Sequence, residues 1–567
     1  MFKNLASSHS RILSLAVAGA LGVMGTAVAA VPAGGHFHVL TKATQLSRGD
    51  TIRNTVPLNQ TIRISVVLKL RDDVQMKSFL AKVGAPGAPR VMSQAQLQSH
   101  LPTQAQAQAV ADYLKRAGFG NIKISANRMI VHATGSAATV QSAFKTNLVA
   151  VRTHDGRSAF ANNTAIQVPA ALQDTVQAVL GLQTVHKAHI FARPQPAAQV
   201  GVMGHDPLEF PVIYGASSLP RATSINVAVW GWGSMAPTIS DLKVFTHDHG
   251  LPTVRTRVVC TDTNGIDWDT GEGLGGTTIG DPTCNGNVDQ GSDEWDLDSQ
   301  DIIAMTGGVK SMTFYAAYGG YNTTVTDSLN EIVTPTVGEP RPRVINASFG
   351  ECERFQDANQ GGDGSMQAND ALFQIAVAQG QTFSVSTGDA GADECGFGNP
   401  LDSASYPASS PWVVAVSGTT LRASDTTWAR ENVWIDAGGS PSSAEPAQPW
   451  QAPLTYGPFA GARGPDVAFD ANPSSGSIIY VSAFGGYVQF GGTSLSAPLF
   501  AGAWARIFQG NRSLGFAAPH LYMLPASVLH DVRSGNNRGY IARIGWDWAT
   551  GLGSFDVGAA AAALSSD

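Results

Sequence analysis

The sequence predicts an α/β protein in two parts, a small open-faced α/β sandwich followed by a larger, doubly wound and mostly parallel sheet. Three observations carry this reading. Over about 31–195, short strand-like runs alternate with helical ones, with no cysteine and no acid/base cluster. From about 206 onward the strand-like runs are continuously apolar and lie between helices, as expected of strands buried on both faces. Between the two parts, Phe191-Ala192-Arg193-Pro194-Gln195-Pro196-Ala197-Ala198-Gln199 breaks both patterns with two prolines, small residues and one basic residue.

Near the N-terminus, Lys3 and Arg11 accompany a mostly apolar run, Ile12 to Val23, followed by Ala27-Val28-Ala29. This reads as an export signal over 1–29 with a small-residue cleavage site, rather than a membrane anchor, because the run is short. No later stretch reaches the roughly 18–20 apolar residues that span a bilayer. The first part then reads as strand Ile62 to Leu70, helix Asp73 to Val83, and helix Thr103 to Gly118, which closes on a glycine. Strands Asn121 to Ser125 and Arg128 to Ala133, helix Ala137 to Phe144 and strand Leu148 to Thr153 follow. His186 to Gly204 is expected to be an exposed linker, open to proteolytic nicking. In the second part the buried-strand runs are Ser224 to Trp230, Ser311 to Tyr315, Arg343 to Ser348, Thr382 to Ser386 and Trp412 to Val416. Chemistry in such a sheet is expected beyond the carboxyl ends of its strands.

Composition narrows the function. Of 567 residues only 14% are charged, with 61 Gly and 30 Pro, which suits a loop-rich globular chain with large cores. The net charge of -7 gives nucleic acid no basic patch to bind. The four cysteines, Cys260, Cys284, Cys352 and Cys395, allow three pairings in an exported chain. Cys260–Cys284 and Cys352–Cys395 are favoured because each closes a Gly/Asp-rich loop. Zinc is disfavoured because there is no Cys-x-x-Cys pair.

The most informative segment is Gly492-Thr493-Ser494-Leu495-Ser496-Ala497-Pro498, between strand-like Tyr487 to Phe490 and an apolar helix. Ser494 is then at a helix N-terminus, where free N–H groups favour nearby negative charge. Pro498 is expected in the first helical turn. Ser494 is either a helix cap or a nucleophile, and a nucleophile needs a base. No Asp-Thr/Ser-Gly turn follows the first strand, no His-Gly-Thr-x-Val helix exists, and His247-Asp248-His249-Gly250 reads as a surface turn. Acidic residues are the other source of a base. Glu294 and Asp298, in the run Asp293 to Ala304, are four apart and share a helical face. They form either a solvated acidic face or a pair that shares a proton. Asp389, in Ser386-Thr387-Gly388-Asp389, follows a strand directly and is either a turn cap or a site acid.

Together, Glu294-Trp295-Asp296-Leu297-Asp298, Ser386-Thr387-Gly388-Asp389 and Gly491-Gly492-Thr493-Ser494-Leu495-Ser496-Ala497-Pro498 resemble the sedolisin family of serine-carboxyl peptidases, in its exported, pseudomonalisin-like branch. The resemblance covers about 206–567, and 31–195 resembles the family's activation pro-domain. It implies a subtilisin-like catalytic domain over 200–567 behind a ferredoxin-like pro-domain and linker over 30–199. It further implies Ser494 as nucleophile, Glu294 as general base, Asp298 as the acid that orients it, and Asp389 as the oxyanion partner. A carboxylate base works in acid, where histidine would be charged, and an acid facing an oxyanion must be protonated. The expectation is a secreted, monomeric zymogen, extracellular or periplasmic, that cleaves proteins and peptides at acid pH. Its own pro-domain would act as inhibitor and folding aid, released by cleavage in the Arg193 to Gln199 region.

The resemblance also implies one structural calcium ion. The matching ligands are the carboxylates of Asp531 and Asp547 and the carbonyls of Val532, Arg543 and Gly545, a hard oxygen set that suits calcium. Glycine often stands in the family where this chain has Arg543.

Overall fold

The computed structural model describes residues 36–565 apart from 72, 86, 196–203, 262–277, 285–290, 336–337, 399–402 and 425. The expected signal at 1–29 and part of the linker lie outside the described residues.

In the first part, β1 (Thr61–Leu68), α1 (Gln104–Arg116), β2 (Gly120–Ile124), β3 (Ile130–Ser136), α2 (Ala137–Phe144) and β4 (Val176–Leu180) form a βαββαβ unit. Its sheet runs β2-β3-β1-β4 with every neighbouring pair antiparallel, the ferredoxin-like arrangement. Capping starts α1 where the sequence places it. Thr103 accepts from the Gln106 N–H, and the Gln106 side chain accepts from Thr103 in return. Ala107, Val110, Ala111 and Leu114 of α1 face the sheet, on a core with Ile62, Ile64, Val131 and Phe144. The sequence reading missed β4, the strand that completes the sheet, and also the strands Thr51–Thr55 and Ser158–Asn162 beside Leu148–Arg152.

The linker then enters the second part. Two short strands, β5 (His189–Ile190) and β6 (Arg193–Pro194), flank Phe191 and Ala192.

The second part contains β7 (Asn226–Trp232), α3 (Ala236–Asp248), β8 (Thr256–Cys260), α4 (Ser292–Thr306), β9 (Ser311–Ala317), α5 (Asn322–Val333), β10 (Val344–Ala347), β11 (Phe349–Cys352), α6 (Ser365–Ala378), β12 (Thr382–Ser386), β13 (Val414–Ser424), β14 (Thr427–Val433), β15 (Val467–Asp470), β16 (Ser477–Val481), β17 (Gly486–Gly491) and α7 (Thr493–Gly510). The parallel order is β8-β9-β7-β10-β12-β13-β15, with β14 antiparallel on β13. Both faces are covered by helices, which is why these strands are continuously apolar. Val227 to Trp230 and Phe314 are each at most 1% exposed.

Helices α4 and α7 pack side by side, and a small residue lets them approach. A Cβ on Gly502 would fall 2.5 Å from the Met305 Cβ, so only glycine fits this crossing. Both favoured disulfides, Cys260–Cys284 and Cys352–Cys395, are formed. Helix α5 faces the sheet of the first part, where Arg63 and Ser65 both bond to the Asp327 carboxylate at 2.8 and 3.0 Å. No described helix is long and apolar enough to cross a membrane.

Candidate active site

Three junctions of the chain converge at the site: the turn between β17 and α7, the N-terminal end of α4, and the turn that follows β12. At the first, β17 ends in Gly491 and α7 begins at Thr493, making Ser494 the second residue of the helix. The turn depends on Gly492, whose φ is +103° and whose Cα is pressed by the linker. A Cβ there would meet the Phe191 carbonyl oxygen at 2.1 Å and Asp389 Oδ2 at 2.8 Å. Ser494 is buried, and its hydroxyl has no hydrogen-bond partner in strict geometry. It nevertheless lies close enough to Glu294 to favour that group's ionised form. Pro498 differs from expectation. It is the sixth helical residue, beyond the first turn, so its missing N–H leaves the Ser494 carbonyl without an α-helical donor.

At the second junction, α4 is buried along nearly its whole length, so its acidic face is not a solvated one. Glu294 and Asp298 are both fully buried. Burial pushes both carboxyls up, and the charge of Asp298 pushes Glu294 further. Glu294 Oε2 accepts two linker N–H groups, from Phe191 at 2.8 Å and from Ala192 at 2.6 Å. Asp298 Oδ1 accepts the Ser348 hydroxyl at 2.6 Å, and Ser348 in turn accepts from the Asn346 amide at 2.9 Å. The sequence reading missed Asn346 and Ser348. Their signal was two polar residues at the carboxyl end of an otherwise apolar run.

The third junction follows β12. Asp389 Oδ1 accepts the Thr493 N–H and the Thr493 hydroxyl, each at 2.8 Å, which ties it to the residue before Ser494. Burial pushes the Asp389 carboxyl up to about 7, against the Thr493 donors and the Arg193 charge. Arg193 Nε stands 3.1 Å from Asp389 Oδ2, and its Nη2 donates to the Asp389 carbonyl at 2.6 Å. Among the described residues no histidine bonds to Ser494, Glu294, Asp298 or Asp389, and His247 to His249 lie at the end of α3, where His249 faces Asp206 and the ring of Tyr487.

The exposed linker of the sequence reading is corrected in part over its described residues: Arg193 and Pro194 are exposed, but the stretch is paired into sheets on both sides of Phe191. β5 pairs antiparallel with β11, and β6 pairs antiparallel with the end of β17. Phe191 is only 3% exposed. The prolines suggested a solvent-facing stretch, but Pro194 sits on a sheet edge, where a missing N–H is tolerated.

Near the C-terminus the structure brings Asp531 and Asp547 to the same short loop. Asp531 accepts the Gly545 N–H at 3.1 Å, and Asp547 accepts the Arg543 N–H at 2.9 Å. Arg533 also donates to Asp531 at 2.8 Å. No cluster of three or more His, Cys, Asp or Glu side chains suited to a metal occurs among the described residues. A cation in this segment would therefore need backbone oxygens as well as the two carboxylates.

Comparison with known proteins agrees with this architecture. Residues 49–185 match the pro-kumamolisin activation domain, and residues 283–534 match the subtilase family. The chain is 38% identical to sedolisin of Pseudomonas sp. (strain 101), over 91% of this chain and 90% of that one. It is also 38% identical to xanthomonalisin of Xanthomonas sp. (strain T-22), over 88% of this chain, and spans 65% of that relative's length. Among solved structures, Pseudomonas sedolisin, a serine-carboxyl proteinase complexed with two molecules of pseudo-iodotyrostatin, is 38% identical. It superposes with a TM-score of 0.56, covering 65% of this chain and all of that one. The chain therefore belongs to the sedolisin family of serine-carboxyl peptidases and carries that family's activation domain ahead of a subtilase-type catalytic domain.

Proposed function

We propose that the protein is an exported endopeptidase, made as a zymogen, that cleaves unfolded proteins at acid pH through a Ser494 acyl-enzyme. The observation that carries this reading is the convergence of Ser494, the buried Glu294–Asp298 pair and Asp389 on one short stretch of extended backbone. Glu294 takes the Ser494 proton as the hydroxyl attacks a carbonyl carbon, then delivers it to the leaving nitrogen. The two linker N–H groups, from Phe191 and Ala192, and the nearby Ser494 hydroxyl favour the negative charge on Glu294, against burial and the charge of Asp298, which raise its carboxyl. Asp389 in its protonated form donates to the developing oxyanion.

The test is a pH profile on a denatured protein substrate. Activity confined to acid supports a carboxylate base, whereas a rise through about pH 6–7 would indicate histidine and overturn the reading. Asp389, raised to about 7, keeps its proton in acid and loses it as pH rises, so its contribution fades on the neutral side. Asp389→Ala is expected to lower kcat by about 10²–10³-fold. Steady-state kinetics at the acid optimum would check this, and an unchanged kcat would remove Asp389 from the mechanism.

We also propose one structural calcium ion held by Asp531, Asp547 and the carbonyls of Val532, Arg543 and Gly545. The residues fit such an ion. Asp547 is fully buried with no basic side chain bonded to it, and burial raises its carboxyl to about 6. The Arg543 guanidinium is held 4.4 Å over the Tyr456 ring. Calcium here would bridge two segments of the chain and take no part in the chemistry. Chelation is expected to lower Tm by roughly 5–10 °C, read by calorimetry and reversed by added calcium.

The domain boundaries proposed are a pro-domain with linker over 30–199 and a peptidase over 200–567. The chain would act as a monomer outside the cytoplasm, where both disulfides are stable.

A further inference from the structure

We infer that Ser348 and Asn346 are positioning residues that set how acid the medium can become before the peptidase loses its base. This rests on the peptidase reading above.

Both residues stand where their polarity needs a reason. Asn346 lies in β10, paired with Val229 of β7 on one side and with Ser384 of β12 on the other, between the apolar residues Ile345 and Ala347. Ser348 follows at the carboxyl end of that strand. Neither side chain is exposed, and a buried amide costs stability unless it is bonded. The Asn346 amide donates to the Ser348 hydroxyl at 2.9 Å, while its own oxygen has no hydrogen-bond partner. An amide kept for packing gains nothing from an orphaned oxygen. What Asn346 supplies is a fixed N–H.

That N–H gives the contact a direction. A serine hydroxyl has a single proton. Ser348 accepts from Asn346 and gives its proton to Asp298 Oδ1, at 2.6 Å. Helix α4 is held over this end of the sheet by Trp295, whose Nε1 donates to the Trp232 carbonyl at 3.0 Å. The Trp295 ring fills the space that a Cβ on Gly231 would need, 2.5 Å away. Each carboxyl of the pair then has one engaged oxygen. Glu294 Oε2 takes the two linker N–H groups and Asp298 Oδ1 takes Ser348, whereas Glu294 Oε1 and Asp298 Oδ2 are buried without strict partners. A proton held by the pair has those two oxygens to occupy. The donors on the other two favour one negative charge over none. The linker donors go when the linker goes, but Asn346 and Ser348 belong to the sheet and stay.

The other groups facing the pair fix the sign. On α4, Asp293 and Asp298 oppose charge on Glu294, and Asp298 opposes it on Asp301. From α7 the Ser494 hydroxyl, and from the linker the Ala192 N–H, favour it on Glu294. Ser348 and then Asn346 hold the Asp298 carboxyl down against its burial. Among the described residues no Lys, Arg or His bonds to either carboxyl. Glu294 can accept the Ser494 proton only when the pair carries a negative charge, and below a certain pH both carboxyls are protonated and the base is gone. Donors to Asp298 lower that pH, so their loss raises it.

The experiment compares the matured enzyme with Ser348→Ala, Ser348→Thr and Asn346→Ala. Each is assayed for kcat and KM on acid-denatured haemoglobin from about pH 2 to about pH 7, beside a thermal melt. Ser348→Ala should move the acid limb of kcat/KM up by about one pH unit, a loss of about fivefold at the parent's acid half-point. KM should stay within about twofold, and kcat at the top of the shifted profile within about threefold. Ser348→Thr keeps the hydroxyl and should return the limb to its place. Asn346→Ala should move it the same way by less. An unmoved limb in a folded Ser348→Ala, or a loss equal at every pH, overturns this inference and leaves the peptidase reading standing. If Ser348→Ala does not fold, the limb of Asn346→Ala decides in the same way. Acid activity that survives Ser494→Ala overturns the peptidase reading itself.

Discussion

Ser494→Ala is expected to lower kcat on a denatured protein at acid pH by about 10⁶-fold, leaving only what binding and the oxyanion partner supply. Stability should move in the opposite sense or not at all. The Ser494 hydroxyl is buried with no strict hydrogen-bond partner, so its removal strands no other group. Activity measured beside a thermal melt separates the two roles first weighed for this serine. A helix cap would lose about 1 kcal/mol and little activity. A nucleophile loses nearly all activity and no stability. Glu294→Gln should be almost as damaging, since base and nucleophile act as a unit.

Stability should fall as pH rises from about 4 to 8, by enough to lower Tm by about 5 °C. Burial pushes Asp296 up to about 9, aided by the nearby charge of Asp241, and pushes Glu351 up to about 8. The sign follows from the unfolded chain, where such groups have pKa values of about 4. The fold keeps these protons while the unfolded chain releases them, so the stabilisation is complete below about 4 and is lost as pH climbs towards 8–9. Each group loses up to about 1.4 kcal/mol per pH unit in that window, several kcal/mol for the two before relaxation reduces it. Asp241 accepts the Ser482 N–H and hydroxyl, each at 2.8 Å, with Asp296 beside it. Asp296→Asn should raise stability at pH 7 by about 2–3 kcal/mol and leave it within about 1 kcal/mol at pH 4. Denaturation at the two pH values checks this. A flat pH dependence in the parent protein would show that these carboxyls carry no such linkage.

Local chemistry explains what could be read from the sequence. Thr103 with Gln106 started a helix where a capping box should, and the apolar runs at 311–315 and 382–386 became strands β9 and β12. Helical spacing and strand-end position marked Glu294, Asp298, Asp389 and Ser494 only as candidates with structural alternatives, and their roles came from the family resemblance of the three motifs taken together. What escaped depends on distant partners. β4 reads as an ordinary polar-flanked segment until Ser65 to Leu68 pairs with it. Asp241 and Asp296 lie on different helices, so no spacing rule connects them. Ser348 gains its meaning only when Asp298 arrives from α4. The linker was misjudged because its prolines and Arg193 suit water equally well until the edges of β11 and β17 are in place.

Those two edges have a consequence for what can be digested. While β5 and β6 are in place, the backbone groups of β11 and β17 that face the cleft are matched. Once the linker leaves, each edge is an open template, and only a chain with free backbone groups over about six or seven consecutive residues can replace it. A folded target has already spent those groups on its own helices and sheets. The choice of target would then be governed less by side-chain identity than by how readily acid unravels it, and a tightly folded neighbour would survive beside a loosened one.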